Sequence, residues 1–114
     1  MSFKENYTIE QRRNESKKML TKYPTRVPII VEKYKDCELN TMNKNKYLVP
    51  KDILLSQFIN IIRQRIHLDS SQALFITINN HLCSGSSMLG DIYDDNKDED
   101  NFLYMIYTSE NTFG

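Results

Sequence analysis

Only three glycines and three prolines occur in 114 residues, which excludes a collagen-like repeat and leaves no Gly-rich loop of the kind that cradles a phosphate. Cysteine is as scarce. Cys37 and Cys83 stand without a CxxC pair or a secretory leader, so both read as free thiols of a reducing compartment rather than as a disulfide. No run approaches the roughly 18 apolar residues of a spanning helix, and the opening "MSFKENYTIEQRR" has no apolar leader segment, so the chain reads as cytosolic. Net charge is missing too, but the zero hides a division. Residues 1 to 51 hold twelve Lys/Arg against six Asp/Glu, and residues 68 to 114 hold one lysine against eight acids. Such a split offers a basic face to acidic partners, although a surface that merely segregates its charges is the simpler reading.

What is present fits one soluble domain. Hydrophobic residues at 39% and charged residues at 26% suffice for a core without metals or disulfides. "TIEQRRNESKKMLTKY" sets Ile9, Met19 and Leu20 among charges and predicts a mostly solvated helix that stops at the Tyr23-Pro24 step. "RVPIIVEKY" predicts a strand with Pro28 near its start, where an edge or first-residue proline is tolerated. "KYLVP" predicts a second strand, antiparallel to the first. "DILLSQFINIIRQRIHLD" is the clearest helix, with Asp52 as its expected N-cap and apolar residues at 55, 58, 59, 62 and 66. Ile53, Leu54 and Ile61 fall outside that face, so its apolar arc is wider than one buried stripe needs. "ALFITI" predicts a third strand, "NN" a turn, "SMLGDIYDD" a short helix and "NFLYMIYTS" a last strand, apolar enough to lie centrally. This order resembles the β-grasp of ubiquitin: an α+β fold in which a mixed sheet wraps one helix and the last strand lies beside the first.

Catalytic and metal chemistry find no carrier. His81 and Cys83 alternate at i and i+2, but "NNHLCSGSS" reads as a loop with nothing to activate a thiol. Cys37 and His67 add no zinc spacing. Asp94, Asn96 and Asp98 match the first ligand positions of a calcium loop, yet Glu99 stands where the turn needs glycine and Met105 where a glutamate should close the site. A solvated acidic turn is the expectation there. No cofactor is implied. The helical cluster Arg12, Arg13, Lys17, Lys18 and Lys22 lacks the neighbouring aromatics of a base-stacking surface, so nucleic acid is not an expected partner.

A binding surface is what remains. On the second strand Lys46, Leu48 and Pro50 project to one side and Tyr47 and Val49 to the other. If that strand is a free sheet edge, a peptide can add to it through backbone hydrogen bonds. Ile53 and Ile61 of the surplus arc, with Phe58, would line a pocket beside it, or else simply extend the core under the hairpin.

The blocks "EQRRNESKK", "KYPTRVPIIVEK", "KYLVP", "FINIIRQRIHL", "ALFITINN" and "DEDNFLYMIY" closely resemble the autophagy-related ubiquitin-like modifiers (autophagy-related protein eight), which include the GABA-receptor-associated and microtubule-associated light-chain-three proteins. "RIHL" and "KYLVP" look nearer the GABA-receptor-associated branch. The resemblance implies two short helices in front of the β-grasp, hence a helical subdomain over residues 1–24 and a ubiquitin-like domain with a C-terminal tail over 25–114.

It also implies a function. Gly114 corresponds to the glycine that activating and conjugating enzymes join through its carboxyl to phosphatidylethanolamine, with a cysteine protease for processing or delipidation. The protein would be a cytoplasmic monomer, lipid-anchored on the autophagosome once conjugated, and not an enzyme. Its partners would be cargo receptors and adaptors that carry aromatic-x-x-aliphatic motifs. For the aromatic pocket the matching positions are Glu15, Met19, Pro28, Ile30, Lys46, Leu48 and Phe102. For the aliphatic pocket they are Tyr47, Val49, Pro50, Ile53, Phe58 and Ile61. Arg26, Lys44, Lys46 and Arg65 correspond to the cations that meet acidic residues flanking the motif.

Overall fold

Two capping boxes open the fold. Ser2 Oγ accepts the Glu5 N–H and the Glu5 carboxylate accepts the Ser2 N–H, which starts α1 (Phe3–Asn6). Thr8 and Gln11 repeat the exchange at the start of α2 (Ile9–Lys22), which ends before Pro24. The residue pattern alone shows only α2. A Thr8→Ala variant should lose about 1 kcal/mol in chemical denaturation, because the Gln11 N–H in the first turn of α2 loses its side-chain acceptor.

The computed structural model describes residues 2–109. After α2 come β1 (Arg26–Lys33), β2 (Lys46–Pro50), α3 (Leu55–Arg65), β3 (Phe75–Ile78), β4 (His81–Leu82), α4 (Leu89–Asn96) and β5 (Leu103–Thr108). The sheet order is β2-β1-β5-β3-β4. β5 runs parallel to β1 and antiparallel to β3, so the last strand is central, as the β-grasp expectation has it. Leu55, Phe58, Ile62 and Ile66 of the α3 segment pack on Val27, Ile29, Val31, Leu103, Met105 and Tyr107 to form the main core. The opposite face of the sheet carries a smaller cluster of Phe3, Ile30 and Phe102, beneath α1 and α2.

Four local expectations fail, each for a tertiary reason. Asp52 does not cap α3: the helix starts at Leu55, and Gln57 Oε1 accepts the Leu54 N–H at 2.7 Å. Residues 51–53 are instead tied to the start of α4, where Leu89 N–H donates to Ile53 C=O and Gly90 N–H to Lys51 C=O, both at 2.9 Å. A Cβ on Gly90 would stand 3.0 Å from Lys51 Cβ and 3.2 Å from its carbonyl oxygen, which explains glycine there. Second, the turn expected at "NN" is present, but His81 and Leu82 after it pair as a strand where a loop is expected. Asn79 and Asn80 both take positive φ (52° and 65°), the combination that turns β3 back as β4. Third, Pro28 lies in an interior strand. Tyr34 N–H donates to Tyr107 C=O and Val31 N–H to Asn45 C=O, so even-numbered donors of β1 face β5. Pairing with β5 begins only at Ile29, and the missing proline donor costs no ladder bond. Fourth, the acidic segment is not a solvated turn: Asp94 and Asn96 belong to α4, Asp98 pairs with Lys4 at 2.7 Å, and Asp100 is fully buried.

Candidate functional site

β2 is one edge of the sheet. Val31 N–H donates to Asn45 C=O at 2.8 Å and Lys51 N–H to Thr25 C=O at 3.1 Å, so odd-numbered residues along β2 turn their peptide groups toward β1. Lys46 and Leu48 therefore present N–H and C=O outward. The Pro28↔Leu48 pairing agrees with this, since a proline cannot complete a hydrogen-bonded pair. The unpaired row is short and ends at Pro50, which has no donor.

The two sides of this edge differ. Pro28, Ile30, Lys46 and Leu48 share the face covered by α2, where Glu15 and Met19 approach them. Lys46 Nζ and Glu15 Oε1 form an ion pair at 2.5 Å, with both side chains half-exposed. Ile30 and Phe102 are fully buried and form the floor rather than the mouth of this side. Phe3 and Tyr104 belong to it as well: Phe3 lies edge-on to Phe102 with ring centroids 5.2 Å apart, and Tyr104 packs on the same cluster. Residue patterns miss both, although the Ser2-x-x-Glu5 capping box is a signal that the segment carrying Phe3 is ordered.

Tyr47 and Val49 point to the α3 side and join the main core, with Tyr47 edge-on to Phe58 at 5.7 Å. Phe58 has 0% exposure, so it supports the surface and is not part of it. Pro50 and Ile53 are half-buried and Ile61 is 38% exposed. Of the six positions matched to the aliphatic pocket, three thus form a buried base and three an apolar surface. The surplus arc of α3 is of both kinds: Ile61 is open, while Leu54 bridges to Met88.

Lys44 and Arg65 line a cavity of about 280 Å³ with Met42, Tyr47, Gln64 and His67, at the Lys46 end of β2. Arg26 stands at the Pro50 end. Among the described residues the ion pairs are Lys4–Asp98, Arg12–Asp100 and Lys46–Glu15, so Arg26, Lys44 and Arg65 meet no carboxylate within 4.0 Å. Two positive ends therefore bracket an apolar edge. Tyr47 donates to Lys44 C=O at 3.1 Å, and burial pushes its hydroxyl above the ordinary tyrosine value.

Other candidates sit apart from this edge. His81 is exposed on β4, and Cys83 is half-buried with its thiol pushed up by burial, away from nucleophilic character. For Cys37 burial opposes ionisation, but hydrogen bonds with Leu39 and Ser109 outweigh it and hold the thiol below its ordinary value. Among the described residues no group of three His, Cys, Asp or Glu is placed to hold a metal ion. No described helix is long and apolar enough to cross a membrane. Gly114 lies outside the described residues.

A family model described as "Autophagy protein Atg8 ubiquitin like" matches residues 11–114. Autophagy-related protein 8i of Arabidopsis thaliana is 46% identical over 113 residues, covering 99% of this chain and 98% of the relative. Autophagy-related protein 8D of Oryza sativa subsp. japonica is 48% identical over 113 residues, covering 98% and 96%. The crystal structure of Trypanosoma brucei ATG8 superposes with a TM-score of 0.92 at 38% identity, covering 100% of this chain and 98% of that one. These similarities do not separate the GABA-receptor-associated branch from the rest. A β-grasp with two helices in front, an open β2 edge and this degree of likeness place the chain in the Atg8 family of ubiquitin-like autophagy proteins.

Proposed function

We propose that the protein is a non-enzymatic modifier. Its Gly114 carboxyl is joined to the amine of phosphatidylethanolamine, and its β2 edge recruits proteins bearing aromatic-x-x-aliphatic motifs to autophagic membranes. Its helpers are the activating and conjugating enzymes of a ubiquitin-like pathway and a cysteine protease for processing or delipidation. It works as a monomer between cytoplasm and autophagosome, with residues 1–24 acting as a helical unit on the 25–114 domain.

The observation that carries the recruiting half is the outward-facing backbone of Lys46 and Leu48 between two unlike apolar sides. An extended peptide gains main-chain hydrogen bonds there, and successive side chains fall to opposite sides. Pro28, Ile30, Lys46 and Leu48 with Glu15 and Met19 would take the aromatic residue. Pro50, Ile53 and Ile61 over Tyr47, Val49 and Phe58 would take the aliphatic one. Calorimetry with such a peptide tests this: binding that disappears when either anchor is alanine supports it, and no binding by the parent chain refutes it.

Arg26, Lys44 and Arg65 are exposed and serve steering more than grip. Lys44→Gln with Arg65→Gln should slow association of a peptide with acidic flanks by about tenfold at low salt, with dissociation little changed. Stopped-flow kinetics across a salt series would show the two curves converging as screening removes the difference.

A further inference from the structure

Asp100 is a buried carboxylate that the proposed groove does not touch. Its side chain has 0% exposure, and every oxygen is engaged. Arg12 Nη1 donates to Oδ2 at 2.7 Å, the Tyr104 hydroxyl donates to the same oxygen, and the Phe102 N–H donates to Oδ1 at 2.8 Å. The Asp100 backbone carbonyl accepts the Ser16 hydroxyl at 2.6 Å. One residue thereby holds α2 at two points one turn apart and also fixes Phe102, the floor of the α2 side.

We propose that Asp100 is the positioning residue of the aromatic pocket: through Arg12 and Ser16 it sets how far α2 stands from β1 and β2, and so which aromatic side chains the pocket admits. The inference rests on the peptide-binding reading above. Arg12, Ser16 and Met19 follow at i, i+4 and i+7, with Glu15 beside them, so the stripe that carries the tethers also carries the pocket wall. Besides these tethers, α2 is held by the half-exposed Lys46–Glu15 pair and by Arg13 Nε donating to Glu99 C=O at 3.4 Å. Ser16 is its one buried residue, and Met19 is only partly covered. Apolar contact of that extent is non-directional and lets a helix slide, whereas a charged pair demands one geometry. A buried ion pair adds little net stability compared with an apolar replacement, so its use here is consistent with position rather than strength. Ser16 fits the same purpose, because a larger side chain at a fully buried point would lift α2 from the sheet.

The test is calorimetry on the full chain with four peptides: one with tryptophan at the aromatic position, one with phenylalanine, one with alanine there, and one with alanine at the aliphatic position. The proteins are the parent, Asp100→Asn, and Ser16→Ala, which removes one tether without stranding a charge. Thermal unfolding first establishes which variants are folded, and Ser16→Ala carries the test alone if Asp100→Asn is not. In the variants the penalty for losing the aromatic anchor should shrink by about fivefold or more, and the tryptophan-to-phenylalanine preference should change, while the aliphatic penalty stays within about twofold. Equal loss of both penalties, or no change in either, overturns the proposal and leaves the groove standing. A parent chain that binds none of the peptides removes the groove and the proposal with it.

Discussion

A Gly114→Ala variant is expected to stay diffuse in cells in which the parent chain collects on membrane puncta. The chemistry behind this large effect is local. Conjugation needs the terminal carbonyl to pass through enzyme active sites and meet an amine, and glycine is the residue that leaves both its faces open. A methyl group at that carbon crowds every transfer in the series. Anchoring through a diacyl lipid is close to all-or-none for a chain whose described helices include none long and apolar enough to span a bilayer. Equal puncta for parent and variant would favour a different class of protein, a soluble peptide-binding adaptor that is never conjugated.

Leu48→Ala should weaken binding of an aromatic-x-x-aliphatic peptide by about tenfold or more while leaving the melting temperature within a few degrees of the parent. Leu48 is half-exposed on the edge strand and faces α2, so its side chain serves the pocket more than the core. Tyr47, one residue away, should behave in the opposite way. It is buried against Phe58, and Tyr47→Ala deletes a large core ring at a cost of about 3–5 kcal/mol. For a domain of this size that lowers the melting temperature by roughly 10–20 °C. Combining the two substitutions would confuse lost binding with lost folding. Measured separately, by calorimetry for affinity and scanning calorimetry for stability, they should part cleanly; a Leu48→Ala chain that binds normally would remove the groove.

Much of the architecture is legible in the residues, because its signals are local and repeated. The apolar spacing of α3, the β-branched run of β1 and the long apolar β5 each dictate their element and its burial. What escapes is set by distant partners. Asp52 has the chemistry of an N-cap, but backbone bonds from Leu89 and Gly90 hold its neighbours in another conformation. "NNHL" hides a two-residue strand that exists only because β3 is there to receive it. Asp100 looks like one acid among several in "DDNKDED", and nothing in its spacing says that Arg12, 88 positions earlier, will bury it.

The candidate site divides the same way. Period-two alternation separates Lys46, Leu48 and Pro50 from Tyr47 and Val49, and the burial pattern of β2 follows it. Exposure at the edge is a property of sheet order, which no short stretch encodes. The assignment of Glu15 and Met19 to a pocket comes from family likeness, since a wet helix offers no pattern of its own. Phe3 lies outside both kinds of signal: it is a lone aromatic near the start of the chain, buried only because α1 folds over Ile30 and Phe102.

The most direct measurement is the intact mass of the protein recovered from its native membranes. Conjugation predicts the mass of the chain ending at Gly114 plus one phosphatidylethanolamine, less the water lost in forming the amide, with fragments placing the added mass on the last residue. A membrane-bound pool with the unmodified mass, or with the lipid on any other residue, would contradict it.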